Sequence, residues 1–411
     1  MDSEIKKLIA KEISRQKEGL TLIPSENYAS KEILLAMGTP LSNKYSEGYP
    51  KKRYYSGNQF IDEIEETAIA RAKKIFKAEH ANVQSHSGSQ ANEAAYSALL
   101  EPGDKVLALD LACGGHLSHG AKINFSGKFY NFIHYGVNQN NELIDFSEVE
   151  RKAMEHRPKL IVASTTSYSR VLDFKRFKEI ADKVGAYLLA DVAHIAGLII
   201  AGCHPHPFPY ADVVTTTTHK TLRGPRGGLI LCKKDLAEKI DRAVFPGVQG
   251  GPLEHVIAAK AICFREAMSP SFKTYQKQII SNAKAMVEVF KKECFRLVSD
   301  GTDNHLFVVD ISSTGLESLC IQEELEKINI FVNRNKIPFD KRPAFNPSGI
   351  RMGTPAVTTR GLKEKNCQEV AGLVCQLIKN IGNKDIKIKI KKRVKEICQK
   401  FPVYKNEDFQ R

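Results

Sequence analysis

The stretch KLIVASTTSYSRVLDFKRFKEIADKVGAYLLAD, Lys159 to Asp191, decides the fold. Its ends, KLIVAS (Lys159–Ser164) and AYLLAD (Ala186–Asp191), are short and nearly continuous apolar runs. Between them DFKRFKEIADKVG (Asp173–Gly185) reads as a helix. A strand that is apolar along its length is buried on both faces, so helices must cover it above and below. KVLALD (Lys105–Asp110), ADVVTT (Ala211–Thr216) and GGLILCK (Gly227–Lys233) are runs of the same kind. An α/β fold follows, with a largely parallel sheet covered by helices. Ligands in such folds sit beyond the carboxyl ends of the strands.

Ahead of this region, MDSEIKKLIAKEISRQ carries Ile5, Leu8, Ile9 and Ile13 at the spacing of an amphipathic helix. The loop-rich LIPSENYAS and NKYSEGYPKKRYYSG follow, so residues 1–55 read as an N-terminal arm. From Gln59, IDEIEETAIARAKKIF is a clear helix at the start of a large domain over 56–267. The helical FKTYQKQIISNAKAMVEVF then leads into a smaller C-terminal α/β domain over 268–411, with its own strand HLFVVDI (His305–Ile311). In NKDIKIKIKKRVKEICQKF (Asn383–Phe401) the IKIKI portion alternates like a strand. From Ile390 onward Val394, Ile397, Cys398 and Phe401 recur at helical spacing.

The 411 residues carry a formal charge of +14 and a hydrophobic fraction of 42%. The longest apolar run, HIAGLIIAG, is too short to span a bilayer, and the N-terminus lacks a signal-peptide pattern. Nine cysteines, an odd number without a CxxC pair, read as reduced thiols. The expectation is a cytoplasmic protein with no membrane association. CHPHPFP gathers Cys203, His204 and His206 but reads as a proline-rich loop, with no metal site. The basic C-terminus reads as a solvated helix face, since a nucleic-acid module would interleave aromatics or glycines with its charges. No specific nucleic acid is expected.

Polar signals gather at the strand ends. In TTTTHKTLRGPRGG (Thr215–Gly228) a single lysine, Lys220, stands between hydroxyls and glycines. Asp191 closes AYLLAD, with His194 close behind. In HSGSQANEAAYSALL, Ser87, Gly88 and Ser89 open a helix, where free N–H groups suit a phosphate. Taken singly, Asp191 reads as a cap and Ser87 as an ordinary serine N-cap. Together, a reactive lysine, an acid for a pyridinium nitrogen and a phosphate cradle are what pyridoxal phosphate requires.

With those residues in place, the chain resembles the serine hydroxymethyltransferase family from LIPSENY (Leu22–Tyr28) to FPVY (Phe401–Tyr404). The segments SNKYSEGYPKKRYY, NVQSHSGSQAN, GGHLSHG, DVAHIAGL, TTTTHKTLRGPRGG, FPGVQGGP and SGIRMGTPAVTTRG follow the family pattern in order. The resemblance implies the fold of type I pyridoxal-phosphate enzymes. It implies Lys220 as the lysine that joins the cofactor aldehyde, with His219 beside it, and Asp191 as the partner of the ring nitrogen. His116 matches the histidine that stacks on the ring, His194 the one near the ring hydroxyl and substrate, and Ser87, Gly88 and Ser89 the phosphate loop. Tyr45 and Gly251 correspond to phosphate contacts from a neighbouring subunit, and Glu47 and Tyr55 also reach across, so a homodimer is implied. Arg351 matches the clamp on the amino-acid carboxylate, with Ser25 near the same substrate. Glu47, Leu111, Gly115, His116, Leu117, Asn335 and the segment around Phe345 match folate positions. For Leu111 and Phe345 core packing is the plainer alternative.

The implied reaction converts serine and tetrahydrofolate reversibly to glycine and 5,10-methylenetetrahydrofolate, with Glu47 as proton handler and an aldolase side activity on 3-hydroxy amino acids. A folate-independent aldolase is the nearest rival, against which Glu47 and Asn335 argue. A nucleic-acid-binding protein on the same fold is a second, against which Lys220, Asp191 and Arg351 argue. Two departures stand out. TSYSR (Thr166–Arg170) places Thr166 where the family carries a serine near the ring oxygen, and Cys113 replaces a more usual histidine close to the folate positions.

Overall fold

The computed structural model describes Asp2 to Tyr404. The chain forms two units, one of residues 29–276 and one of residues 1–28 with 277–411. Residues 1–28 of the N-terminal segment therefore belong with the C-terminal part of the chain, and residues 29–55 with the large sheet.

In the first unit, a seven-stranded sheet runs in the order His80–Asn82, Gly228–Cys232, Val213–Thr217, Tyr187–Asp191, Leu160–Ser164, Lys105–Leu109, Asn131–Tyr135. Six strands share one direction, and Gly228–Cys232 runs against both neighbours. Leu160–Ser164, Val213–Thr217 and Gly228–Cys232 are buried at every residue, as continuous apolar runs require. Helix Phe174–Val184 buries Phe174, Phe177, Ile180 and Ala181, spaced to fall on one face. Asp173 caps its start by accepting from the Arg176 amide at 3.0 Å, and Gly185 ends it in the left-handed region. Ala91, Ala95 and Tyr96, on helix Gly88–Leu99, pack on Val106, Val162, Leu189, Val213 and Ile230 of the sheet. The register sets Ser164, Asp191 and Thr215 side by side on three adjacent parallel strands. That row is where a parallel sheet presents its ligand crevice.

The second unit holds an antiparallel sheet in the order Arg296–Leu297, Leu306–Asp310, Gly349–Gly353, Asn333–Asn335. Phe290, Phe307, Ile350, Val374 and Val394 fill its core together with Leu20 and Leu22. Leu20–Thr21 pairs in parallel with Ile330–Phe331. The buried Arg360 guanidinium donates to the carbonyls of Gln16 and Lys17, both at 2.9 Å, and to those of Gly19 and Cys398, both at 3.3 Å. A cation so placed satisfies orphan carbonyls at the ends of helices Ser3–Glu18 and Lys384–Lys400. Helix Ser3–Glu18 has no buried residue, and Ile5, Leu8 and Ile9 are exposed.

The strand-like alternation of IKIKI does not make a strand: residues 384–400 are one amphipathic helix, capped by the Asn383 side chain on the Asp385 and Ile386 amides. A strand would put Ile386, Ile388 and Ile390 on one face. Instead Ile386 and Ile390, one helical turn apart, meet the core, and Ile388 is 67% exposed. Core packing at every fourth residue and the asparagine cap outweigh the local alternation. Ile390→Ala is therefore expected to destabilise this unit by about 2–5 kcal/mol. Ile388→Ser should stay within about 0.5 kcal/mol of the parent. Chemical denaturation of the two variants, followed by circular dichroism, measures both.

Candidate active site

Asp191 is 8% exposed at the end of its strand. Its Oδ2 receives the Asn92 amide at 2.9 Å and lies 3.1 Å from His119 Nε2, and its Oδ1 receives the Ala193 amide at 3.0 Å. Burial alone would raise its pKa. The His119 hydrogen bond and charge, the charge of His116 and the Asn92 amide outweigh this and hold the carboxyl far below the usual carboxylate range. His119 Nδ1 lies 2.5 Å from the Tyr96 hydroxyl, whose own pKa burial pushes well up. The phenol thus stays protonated where it meets Nδ1, while Nε2 is the ring atom that faces Asp191. Asn92 accepts from Thr215 at 2.6 Å and donates to Ser118 at 2.9 Å, and Ser118 meets His116 Nδ1 at 2.7 Å. One polar chain thus links Asp191 with the next strand and with His116.

Thr215, Thr216 and Thr217 end the neighbouring strand, and all four threonines up to Thr218 are buried. The turn after them carries Lys220, whose ammonium donates to Thr217 Oγ1 at 3.1 Å. Thr221 donates to the His194 carbonyl at 2.9 Å, so the turn is tied to the segment that follows Asp191. Burial, then the positive charges of Lys220 and Arg226, push the His219 imidazole down to about 3, and its Nδ1 has no hydrogen-bond partner among the described residues.

Ser87 caps helix Gly88–Leu99, accepting from the Gln90 amide at 3.2 Å, and Ser89 is exposed in its first turn. A Cβ on Gly88 would stand 2.6 Å from Thr217 Cγ2, and one on Gly228 only 2.3 Å from the Ser87 carbonyl. Gly88 lets the helix start lie directly against the strand that leads to Lys220, and Gly228 lets the next strand approach the Ser87 carbonyl.

The Tyr45 and Tyr55 rings meet edge-to-face at 5.1 Å and are 54% and 49% exposed. Tyr45 donates to Glu47 at 3.2 Å, which raises the phenol's pKa. The Tyr45 ring covers Gly251. These four residues form one cluster, in which the two tyrosines are exposed and Glu47 and Gly251 are half-buried. Gly114, which precedes Gly115, accepts from the Thr166 amide at 2.7 Å, joining the 111–117 loop to Thr166. Leu111, 50% exposed, and Leu117 stand at the surface of that loop, so core packing does not explain Leu111. Burial pushes the Cys113 thiol up to about 11, so it stays protonated.

In the second unit, Arg351 is buried in Gly349–Gly353, and its Nε donates to Asn333 at 3.1 Å. Burial pushes its pKa down to about 10, still charged at neutral pH. Asn335 lies on the strand beside it. Phe345 is 78% exposed, so core packing does not explain it either. Ser25 is half-buried in a turn.

The family model of serine hydroxymethyltransferase matches residues 1–374. The chain belongs to that family. It is a pyridoxal-phosphate-dependent transferase of fold type I that interconverts serine and glycine, with tetrahydrofolate as co-substrate, in one-carbon metabolism. The first unit has what the cofactor needs: a buried ionised carboxylate, a lysine just past a strand end, and a helix start closely backed by glycines.

His119, Asn92, Ser118 and Tyr96 did not stand out as functional in the sequence. His119 and Ser118 lie inside the quoted GGHLSHG, and Asn92 with Tyr96 one turn on lies in the helix that Ser87 opens. Two polar residues four apart on an alanine-rich helix were the available signal.

His219 gives a pH prediction. Folded, the imidazole stays neutral down to about pH 3, and unfolded it takes a proton near pH 6.5. Protons therefore favour the unfolded chain, and the stability tied to His219 falls as pH drops below 6.5. From pH 7.5 to 5, His219→Gln apoprotein is expected to lose about 2 kcal/mol less stability than the parent. Paired denaturation curves at the two pH values measure the difference.

Proposed function

We propose that the reaction is carried out by Lys220, Asp191, Ser87–Ser89, His116, Glu47 and Arg351, in a homodimer with shared active sites. Bound pyridoxal phosphate supplies an electron sink for the carbanion left when the hydroxymethyl group departs. Asp191 keeps a proton on the ring nitrogen, and its suppressed pKa is the observation that carries this reading. Lys220 binds the aldehyde carbon, and neutral His219 beside it adds no competing charge. The N–H groups and hydroxyls at Ser87, Gly88 and Ser89 anchor the phosphate. The Thr166 hydroxyl and His194 would hold the ring oxygen. His116, bonded to Ser118, orients the ring. Arg351 binds the amino-acid carboxylate as a planar fork, with Ser25 assisting. Leu111, Gly115, Leu117, Asn335 and Phe345 bind the folate, which the exposure of Leu111, Leu117 and Phe345 supports. Borohydride reduction of the holoenzyme followed by peptide mapping should label Lys220 alone. A label on another lysine overturns the assignment.

Tyr45, Glu47, Tyr55 and Gly251 serve the neighbouring subunit's site. Exposed Tyr45, Tyr54, Tyr55 and Phe60 support a covering copy, as does the exposed apolar side of helix Ser3–Glu18. The cysteines form no disulfide among the described residues, which supports a cytoplasmic location.

Glu47 takes and returns the proton of the serine hydroxyl. Glu47→Gln is expected to lower folate-dependent turnover by about a hundred- to ten-thousandfold, with cofactor and glycine binding retained. Mixing this variant with Lys220→Ala separates action across the interface from action within one chain. In a mixed dimer one site would then hold both wild-type groups, and random pairing should recover about a quarter of parental activity. No recovery would place Glu47 in its own subunit's site.

A further inference from the structure

Lys260 lies in the middle of helix Glu254–Ala267 and is 1% exposed. A buried lysine without a carboxylate bonded to it needs another reason to be there. Its ammonium donates to the carbonyls of Val83 at 2.6 Å, Gly228 at 2.8 Å and Ser85 at 3.0 Å. All three protons are thereby used, on three oxygens that converge on one point. Two of those oxygens belong to the segment that leads from strand His80–Asn82 into the Ser87 cap. The third belongs to Gly228, whose amide in turn donates to the Ser85 carbonyl at 3.0 Å. A Cβ on Gly227 would stand 2.6 Å from Lys260 Cε, so the lysine stem runs directly over that turn.

The surroundings show that the ammonium is held there against its own desolvation. Burial pushes its pKa down to about 7, while the charges of Glu65 and Glu254 oppose the fall. Glu65 pairs with Arg53 at 2.6 Å and accepts from Gln84 at 2.8 Å, and Glu254 accepts from Ser46. His86, on the same segment, is pushed down by burial and by the Lys260 charge. The Gln249 side chain receives the His86 amide and donates to the Gln84 carbonyl, both at 2.9 Å. Apart from the bond to the Gly228 carbonyl, every backbone bond of this set falls on residues 83–86, just ahead of the Ser87 cap.

We propose that Lys260 is the positioning residue of the phosphate cradle: by tying the Val83, Ser85 and Gly228 carbonyls together it sets the path on which the Ser87–Ser89 amides face the cofactor's phosphate. The inference rests on the reading of Ser87–Ser89 as that cradle. Three convergent carbonyls call for a compact cation with three rotatable donors, and the flat arginine fork does not match them.

The test uses apoenzyme titrated with pyridoxal phosphate and with pyridoxal, which lacks the phosphate. Lys260→Met is expected to weaken pyridoxal phosphate by about ten- to a hundredfold, with pyridoxal changed by less than about threefold. The ³¹P resonance of the bound cofactor should move as well. Lys260→Gln, which keeps two donors, should lose less. It carries the test if Lys260→Met does not fold. Equal losses for the two ligands, or an unchanged preference in a folded variant, overturn the proposal. Ser89→Ala is the control. If it lowers the phosphate preference and the Lys260 variants do not, the role of Lys260 alone falls. If none of the variants lowers it, the cradle reading falls as well.

Discussion

A carboxylate shielded from water stays ionised only where fixed donors replace its hydration. Asp191 has three, and each comes from a different stretch of chain: His119 from a loop, Asn92 from helix Gly88–Leu99, and the Ala193 amide from the turn that follows. The two side-chain donors are held in turn by neighbours, His119 by Tyr96 and Asn92 by Thr215. The requirement to solvate one charge therefore fixes the spacing between a strand, the next strand, a helix and a loop. The register that sets Ser164, Asp191 and Thr215 in one row is the backbone side of the same constraint.

The sequence disclosed those features in which a local pattern reports a global one. Continuous apolar runs marked the buried strands, and the Asp173 and Gly185 termini of Phe174–Val184 marked a helix. Ser87 as a helix cap and Lys220 past a strand of threonines were equally legible. Legibility failed where two local patterns competed, as in IKIKI, whose alternation gave way to a helix that buries Ile386 and Ile390. It failed again for partners known only through three-dimensional proximity. Nothing in Asn92 or His119 taken singly says that each faces Asp191, because the residues are 99 and 72 positions away. Lys260 reads in sequence as one more helix lysine, and its 177-residue reach to Val83 exists only after folding.

Asp191 and Lys260 are buried ionisable groups of opposite type in the first unit. Asp191 is surrounded by side-chain donors, and Lys260 by backbone acceptors. Pyridoxal phosphate is itself a dipolar molecule, cationic at its ring nitrogen and anionic at its phosphate. A site with a fixed negative charge for the one end and a lysine-braced, N–H-rich turn for the other discriminates orientation before any covalent bond forms.

The discontinuous unit has a consequence for the order of events at the ribosome. Residues 29–276 contain a complete sheet with its own core, and all of that chain emerges before the C-terminal third is made. Leu20 and Leu22, synthesised first, have no core until Phe307, Ile350 and Val394 arrive. Helix Ser3–Glu18 likewise waits for Arg360 to cap its last carbonyls. Residues 20–22 are therefore made well before the core that they join. In the interval they present an apolar segment to whatever holds nascent chains, and a polypeptide stalled before residue 307 leaves a folded sheet trailing an unfolded leader.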